Sequence, residues 1–186
     1  PEHIFDTRIV PLPSVPLPRI PETRMALPNP IIARELRDFK PDLIHMFSPA
    51  LMSISGVIAG RRMGVPIVAN YQTDLPGFAR MYGWEFGVEL SRSWLRYLHN
   101  RCHMNLVPSP WAEQDLRTHG FKRLRRWGRG VDIDRFDPAK RSDEWRAKLL
   151  NGRDPASLLC IYVGRLATEK CVNLLLDVAR LDGVAL

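Results

Sequence analysis

Cysteine is scarce in this 186-residue sequence: Cys102, Cys160 and Cys171 stand far apart, with no CxxC pair. That spacing offers neither a disulfide framework nor a zinc site, and with no secretory leader in front the chain reads as a protein of a reduced, cytoplasmic setting. Long hydrophobic runs are missing as well. The most apolar stretch, Ser48 to Gly60, is broken by serines and glycines and falls short of the ~20 residues a spanning helix needs, so the chain reads as soluble or peripheral to a membrane. No Gly-x-Gly-x-x-Gly follows a candidate strand, which disfavours a dinucleotide-binding domain. No acidic cluster has metal-ligand spacing, and His99 and His103, one helical turn apart, have no third ligand. Acidic residues are in deficit, 20 against 27 Lys and Arg, and the resulting charge of +7 calls for an anionic partner: nucleic acid, an acidic membrane surface or a diphosphate.

Hydrophobic residues make up 45% of the chain, enough for a real core. Both ends read as cut, since the chain opens on Pro1 and stops in an apolar Val184-Ala185-Leu186; the expectation is an internal fragment. Prolines at 11, 13, 16, 18, 21, 28 and 30 forbid a helix interior and predict an extended surface segment, either a linker or an acceptor-side loop. From Asn29-Pro30, read as a helix cap and first position, a helix with Ile31, Ile32 and Leu36 buried runs to Pro41. Strand and helix then alternate. Leu43 to Phe47 is a strand, Ser48-Pro49 caps a helix ending at Gly64, and Pro66 to Tyr71 is the next strand. A long helix from Trp84 carries Phe86, Leu90, Trp94 and Leu98 as its core-facing stripe, with Arg92 and Arg96 on another face. Asn105 to Val107 is a third strand, and Ser109-Pro110 opens a helix that Gly120 closes.

This α/β alternation predicts a parallel sheet with helices on both faces and a ligand site beyond the carboxyl ends of its strands. The places to look are Phe47-Ser48, Tyr71 to Asp74, Pro108-Ser109 and Gly128-Arg129-Gly130. Residues 1–132 read as one domain, 133–141 as a linker, and 142–186 as the opening of a second α/β domain. In the latter, Ser157 to Val163 is a strand, Gly164 to Ala167 a turn and Glu169 to Leu181 a helix. Gly164 lets backbone approach a ligand, the helix start offers free N–H groups, and Arg165 and Lys170 flank the turn. The combination suits a diphosphate; a plain βα turn with surface cations is the alternative.

Gly164-Arg165-Leu166-x-x-Glu169-Lys170 resembles the start of the donor domain in glycosyltransferase family 4. Pro41 to His45, Tyr71-Gln72-Thr73-Asp74 and Trp127 to Asp132 resemble that family's acceptor-domain and linker signatures, in the family's order. The resemblance implies a GT-B fold, with two Rossmann-like domains facing across a cleft. Residues up to Asp132 belong to the acceptor half and only the beginning of the donor half is present. It implies a retaining, metal-independent hexosyltransferase with no cofactor besides a nucleotide diphosphate sugar as donor. It further implies that Arg165 and Lys170 hold the leaving diphosphate as the catalytic cations. From their places at strand ends and in the turn, Gly164 is read with them at the donor, Arg129 at the donor phosphates or else the acceptor headgroup, Tyr71 and Gln72 at the acceptor, and Asp74 at the acceptor or else the donor sugar. Many members of the family carry His where this chain has Gln72; Gln does not titrate, so it serves as a hydrogen-bonding group and not a base. The Gln form resembles bacterial α-mannosyltransferases acting on lipid acceptors, which puts mannose first. The Trp127 to Asp132 stretch also resembles sulfoquinovosyl lipid synthases.

Several features have blander readings. Lys122 to Arg126 lacks interleaved aromatics and reads as a solvated charged face rather than a nucleic-acid patch. Together with Arg80, Arg92 and Arg96 it is alternatively a seat on anionic lipid. His45 reads as a structural histidine, and His99, His103 and His119 as helix-surface residues. The rivals to a transferase are a nucleotide-sugar epimerase of the same fold and a basic, non-catalytic binding module.

Overall fold

Proline spacing produces extended backbone, and the amino-terminal segment uses it to build ladders rather than a bare linker. The computed structural model describes every residue except Pro1, Glu2, Phe5, Asp6, Pro18, Arg19, Ser48, Pro49 and Arg129. β1 (His3–Ile4) and β2 (Thr7–Arg8) pair antiparallel. β3 (Ser14–Leu17) and β4 (Ile20–Ala26) form a second antiparallel pair whose register shifts between Pro16 and Leu17, next to the proline that cannot donate to a ladder. α1 (Ile31–Phe39) follows. The Asn29 side chain accepts from Ile31 N at 2.9 Å, and Lys40 closes the helix in a left-handed conformation ahead of Pro41. Ile31, Ile32 and Leu36 are half-buried rather than buried; α1 rests chiefly on α2 (Ser53–Met63), with Leu36 packed against the core cluster.

The chain divides into two compact units, one of residues 1–76 and 86–128, the other of residues 77–85 and 129–186. The first is organised by a four-stranded sheet of β5 (Ile44–Phe47), β6 (Ile67–Asn70), β7 (Met104–Val107) and β8 (Leu124–Arg126), all parallel and in sequence order. β8 sits inside the basic run that reads in sequence as a solvated face; Leu124 is buried while Arg125 and Arg126 are exposed. Crossovers between successive parallel strands share one hand, so a sheet laid down in monotonic order collects its helices on one side. Besides α2 (Ser53–Met63), the crossovers hold a short α3 (Leu75–Met81), α4 (Glu85–His99) and α5 (Pro110–Thr118), and α2, α4 and α5 accordingly cover one face. Ile44, Met46, Ile67 and Ala69 meet Val57, Leu98 and Cys102 there, and Val107 and Leu124 meet Leu95, Leu116 and Phe121. The opposite face leaves His45, Phe47 and Trp127 exposed, which corrects the expectation of helices on both faces. Gly60 lets α2 lie against the strands, since a Cβ there would stand 2.8 Å from Ile44 Cδ1, and Gly64 ends the helix at φ 70°.

α4 corrects the sequence reading most clearly. Its buried residues are Val88, Leu95, Leu98 and His99, whereas Phe86 and Leu90 are 82% and 67% exposed. Spacing of i, i+7 and i+11 selects Val88, Leu95 and His99, a stripe that a count of large apolar residues passes over because it ends on a histidine.

The second unit contains α6 (Asp143–Leu150), capped by the Ser142 side chain accepting from Trp145 N, then β9 (Leu158–Leu159), α7 (Leu175–Ala179) and β10 (Val184–Ala185). The predicted strand from Ser157 to Val163 shrinks to β9, which pairs in parallel with β10 over two residues each. A parallel strand needs neighbours to bury both faces, and Val163 stays 90% exposed. The predicted helix from Glu169 to Leu181 is realised as α7 only over Leu175–Ala179; ahead of it stand two 3₁₀ turns, Thr168–Lys170 and Val172–Leu174, divided by Cys171 at φ 49°. Helical backbone cannot continue through a left-handed residue.

His99 makes the fold acid-sensitive. Burial holds its imidazole below the ordinary value. As pH falls through about 6.5 the unfolded chain therefore takes up a proton that the folded chain resists, and this group lowers stability by up to ~1.4 kcal/mol per pH unit. The urea midpoint is expected to fall between pH 6.5 and 5.5, with a shallower fall in His99→Gln; equal slopes in the two proteins would acquit His99.

Candidate functional site

In the first unit the loop of interest begins where β6 stops. Tyr71 N donates to Leu106 O at 2.9 Å, carrying the β6–β7 pairing one residue past the strand, and Tyr71 to Asp74 then run irregularly beyond the carboxyl edge. The Tyr71 ring is half-buried against His99 and Phe121, at centroid distances of 5.7 and 6.0 Å. Its hydroxyl reaches the other way and donates to Asp74 Oδ1 at 3.2 Å. Burial, then the Asp74 charge, raises the phenol above its ordinary value, so it stays a donor. Gln72 and Asp74 are exposed at the loop surface. Tyr71 is thus the support of this loop, and its polar tip already serves Asp74.

The support rests on a buried polar pair. His99 Nδ1 bonds Asn105 Oδ1 at 2.8 Å, and Asn105 Nδ2 donates to His99 O and to Lys122 O. Both residues are fully buried. His99 is therefore not a helix-surface residue, and the Asn105 bond fixes its tautomer with the proton on Nδ1. A polar residue at the i+11 position of the true α4 stripe, six residues before an Asn in a strand, is the signal that could have found the pair. His45, exposed on β5, shares Nε2 with Asn70 Oδ1 at 2.9 Å, next to the same strand end.

Other sequence candidates divide. Ser109 accepts from Ala112 N and caps α5, so Pro108-Ser109 is a structural turn. Arg129 and Ser48 lie outside the described residues. Much of the basic group is engaged locally: Arg96 donates to His119 O, Arg123 to Cys102 O, and Arg126 pairs with Glu113 at 3.4 Å. Cys102, its thiol pushed up to about 11 by burial, is packing material.

In the second unit Gly164, Arg165 and Lys170 stand on an irregular turn followed by the Thr168–Lys170 3₁₀ turn. Arg165 is held at both ends. Tyr162 OH donates to its carbonyl at 2.7 Å, and its guanidinium donates to Glu169 Oε1 at 2.7 Å, a pairing at i, i+4. The guanidinium remains 63% exposed while the Glu169 side chain is buried. Glu169 Oε2 accepts from Tyr82 OH at 3.0 Å. The Glu169 carboxyl is held below the usual carboxylate range, chiefly by its own backbone N–H, with the Tyr82 hydroxyl and the Arg165 and Lys170 charges assisting and desolvation opposing. Lys170 is exposed. Among the described residues no group of three or more His, Cys, Asp or Glu could hold a metal ion, and no helix is long and apolar enough to cross a membrane.

Comparison with known proteins gives a consistent family. A model of Glycosyltransferase Family 4 matches residues 1–135. A GDP-mannose-dependent alpha-mannosyltransferase of Mycobacterium tuberculosis is 38% identical over 186 residues, covering 100% of this chain and 48% of that protein. A protein of the same name from Mycolicibacterium smegmatis is 39% identical over 100% of this chain and 49% of its own length. A sulfoquinovosyl transferase of Arabidopsis thaliana is 36% identical over 96% of this chain and 36% of its own length. The chain spans about half the length of the mycobacterial relatives it matches.

Gly164 tests the geometry of the turn. A Cβ there would stand 2.6 Å from Tyr162 Oη and 2.9 Å from Cζ. In Gly164→Ala the ring must swing aside and release the Arg165 carbonyl, a loss of about 1 kcal/mol. A double-mutant cycle by denaturant titration should find Gly164→Ala costing nothing further in a Tyr162→Ala background; an equal cost in both backgrounds would mean the contact is not made.

Proposed function

The chain belongs to glycosyltransferase family 4, and from that premise we propose that it is the acceptor-side domain and donor-domain opening of a retaining enzyme that moves a hexose from a nucleotide diphosphate sugar to a lipid or glycan acceptor. Mannose carried on GDP is placed first because the mycobacterial relatives bear that name; a sulfoquinovosyl donor is second, after the Arabidopsis relative. Residues 1–132 form the acceptor half, 133–141 the linker and 142–186 the beginning of the donor half.

The observation that carries the reading is the Gly164-Arg165…Lys170 turn, where an exposed guanidinium is held in one orientation beside a second cation. Breaking the sugar–phosphate bond leaves negative charge on a diphosphate, and cations already fixed in place stabilise that charge without reorganising during the reaction. Arg165 and Lys170 supply it in the role a divalent metal takes elsewhere, so the enzyme is metal-independent. Arg129 joins them at the donor. On the acceptor side Gln72 hydrogen-bonds a hydroxyl and Asp74, oriented by Tyr71, takes another. With no base at position 72, the departing phosphate receives the acceptor proton on the same face of the sugar, a step that depends on positioning.

An anionic membrane surface in the cytoplasm is the second proposed partner. Phe86, Leu90 and Tyr97 share one face of α4 and are exposed, and the Arg101 guanidinium lies 3.4 Å from the Tyr97 ring centroid. Apolar side chains beside a cation suit an interface with acidic headgroups. Sedimentation with phosphatidylglycerol-containing vesicles should exceed that with neutral vesicles and fall in Phe86→Ser/Leu90→Ser; equal sedimentation with both vesicle types would remove the membrane from the reading.

The central test is calorimetric titration of GDP into the full-length protein. Arg165→Ala should weaken binding about tenfold or more, through loss of a charge-assisted hydrogen bond of ~1.5–3 kcal/mol, and turnover should survive EDTA. The chain as given should bind weakly and not turn over. Intact GDP affinity in Arg165→Ala, or activity abolished by EDTA and restored by a divalent ion, would refute the clamp.

A further inference from the structure

Glu169 has no role in the proposed reaction, yet both of its carboxylate oxygens are engaged by side chains. Its two oxygens face different ways: Oε1 accepts from the Arg165 guanidinium at 2.7 Å, and Oε2 accepts from the Tyr82 hydroxyl at 3.0 Å. The side chain is 8% exposed although Glu is among the residues least often buried, and the arginine it holds is mostly exposed. A surface ion pair at i, i+4 is ordinarily worth a few tenths of a kcal/mol and samples many rotamers. This one differs because its carboxylate is pinned from behind. Tyr82 is half-buried, its ring 6.3 Å from that of Trp84. Behind the turn, Tyr162 OH fixes the Arg165 carbonyl.

We infer that Tyr82 and Glu169 are positioning residues for the donor diphosphate, acting in series: the Tyr82 hydroxyl orients the Glu169 carboxylate, which orients the Arg165 guanidinium. The inference rests on the reading of Arg165 as a diphosphate-binding cation. Arginine has five N–H donors in a planar fork. Glu169 engages the fork from one side and leaves its remaining donors directed outward for two phosphate oxygens. A guanidinium already held in that plane surrenders less rotamer freedom when the nucleotide arrives. The chain of contacts has a specific signature, because a residue that acts only through another has no effect once the intermediary is removed.

The experiment uses the full-length protein with GDP-mannose as donor. Tyr82→Phe keeps the ring and deletes the hydroxyl; it should raise the donor KM three- to tenfold and weaken GDP binding by the same factor, leaving the acceptor KM unchanged. Glu169→Ala should do at least as much. Glu169→Gln, which retains an acceptor oxygen, should recover part of the loss. In a Glu169→Ala background Tyr82→Phe should add nothing. Arg165→Ala is measured beside them. If it leaves GDP binding intact, the clamp reading itself fails. If it weakens binding while Tyr82→Phe and Glu169→Ala behave as the parent, the clamp stands and the positioning chain is overturned. Additive effects of Tyr82→Phe and Glu169→Ala, or a Tyr82→Phe change shared equally by the donor and acceptor KM, would also overturn it. Should Glu169→Ala fail to fold, Tyr82→Phe in the Glu169→Gln background decides the question in its place, since hydroxyl removal must then have less effect than in the parent.

Discussion

The amide of Asn105 is the constraint on which the first unit depends. It lies in β7 with no exposure, and its three hydrogen bonds reach the His99 ring, the end of α4 and the segment entering β8. A polar group this deep is costly unless it is satisfied, so the geometry of all three elements is bound to one side chain. The His99 ring it orients forms the floor under Tyr71, and Tyr71 in turn reaches Asp74. Burial pressure at the core is thereby converted into the placement of an exposed carboxylate at the carboxyl edge of the sheet, where ligands of parallel α/β sheets bind. His99 Nε2 has no hydrogen-bond partner, so a proton added there would find no acceptor, which works in the same direction as the burial that lowers the imidazole's affinity for it.

Much of the first unit was legible in the sequence because local signals and burial agree there. Gly64 terminates α2, Ser109-Pro110 opens α5, and short β-branched or apolar runs become β5, β6 and β7. Size was the misleading signal. Phe86 and Leu90 look like core, but α4 turns smaller Val88 and polar His99 inward, and only the tertiary partner Asn105 makes a histidine acceptable there. β8 was hidden for the converse reason. Three of the five residues from Lys122 to Arg126 are arginines, yet a sheet edge buries only alternate side chains, and Leu124 alone turns inward.

The second unit follows its sequence less closely from Cys160 onward. The backbone of Ile161 to Ala167 forms no ladder, and Cys171 adopts a left-handed conformation where a helix interior was expected. A two-residue parallel pairing of β9 and β10 contributes little by itself. Order at the turn comes instead from side chains: Tyr162 on a carbonyl, Arg165 on Glu169, Glu169 on Tyr82. Gly164 was legible as a close-approach glycine, but for a ligand; the group that approaches it here is the ring of Tyr162. The candidate cations were legible from the motif, and the groups that orient them were not, since Tyr82 is far away in sequence.

If Arg165 is the diphosphate-binding cation proposed above, a carboxylate beside it looks self-defeating, and charge decides how far it is. Arg165 and Lys170 with Glu169 leave one net positive charge at the turn, where a nucleoside diphosphate brings at least two negative ones. At effective dielectric constants near 20, a pair of unit charges ~4 Å apart interacts by ~4 kcal/mol, so an unopposed carboxylate at the ligand would cancel one cation. Glu169 avoids this by facing inward: its side chain is buried and both oxygens are occupied, while the guanidinium it holds is exposed. The anion lies behind the cation as seen from solvent, and an approaching phosphate meets donors first. Orientation is then gained at a modest loss of field, since Arg165 and Lys170 still outnumber the one carboxylate. Lys170, a compact charge on a flexible stem, can follow the phosphate as it departs, whereas Arg165 cannot. On the proposed reading the two cations divide the work, Arg165 fixing where the diphosphate sits and Lys170 tracking the charge that grows on it as the sugar leaves.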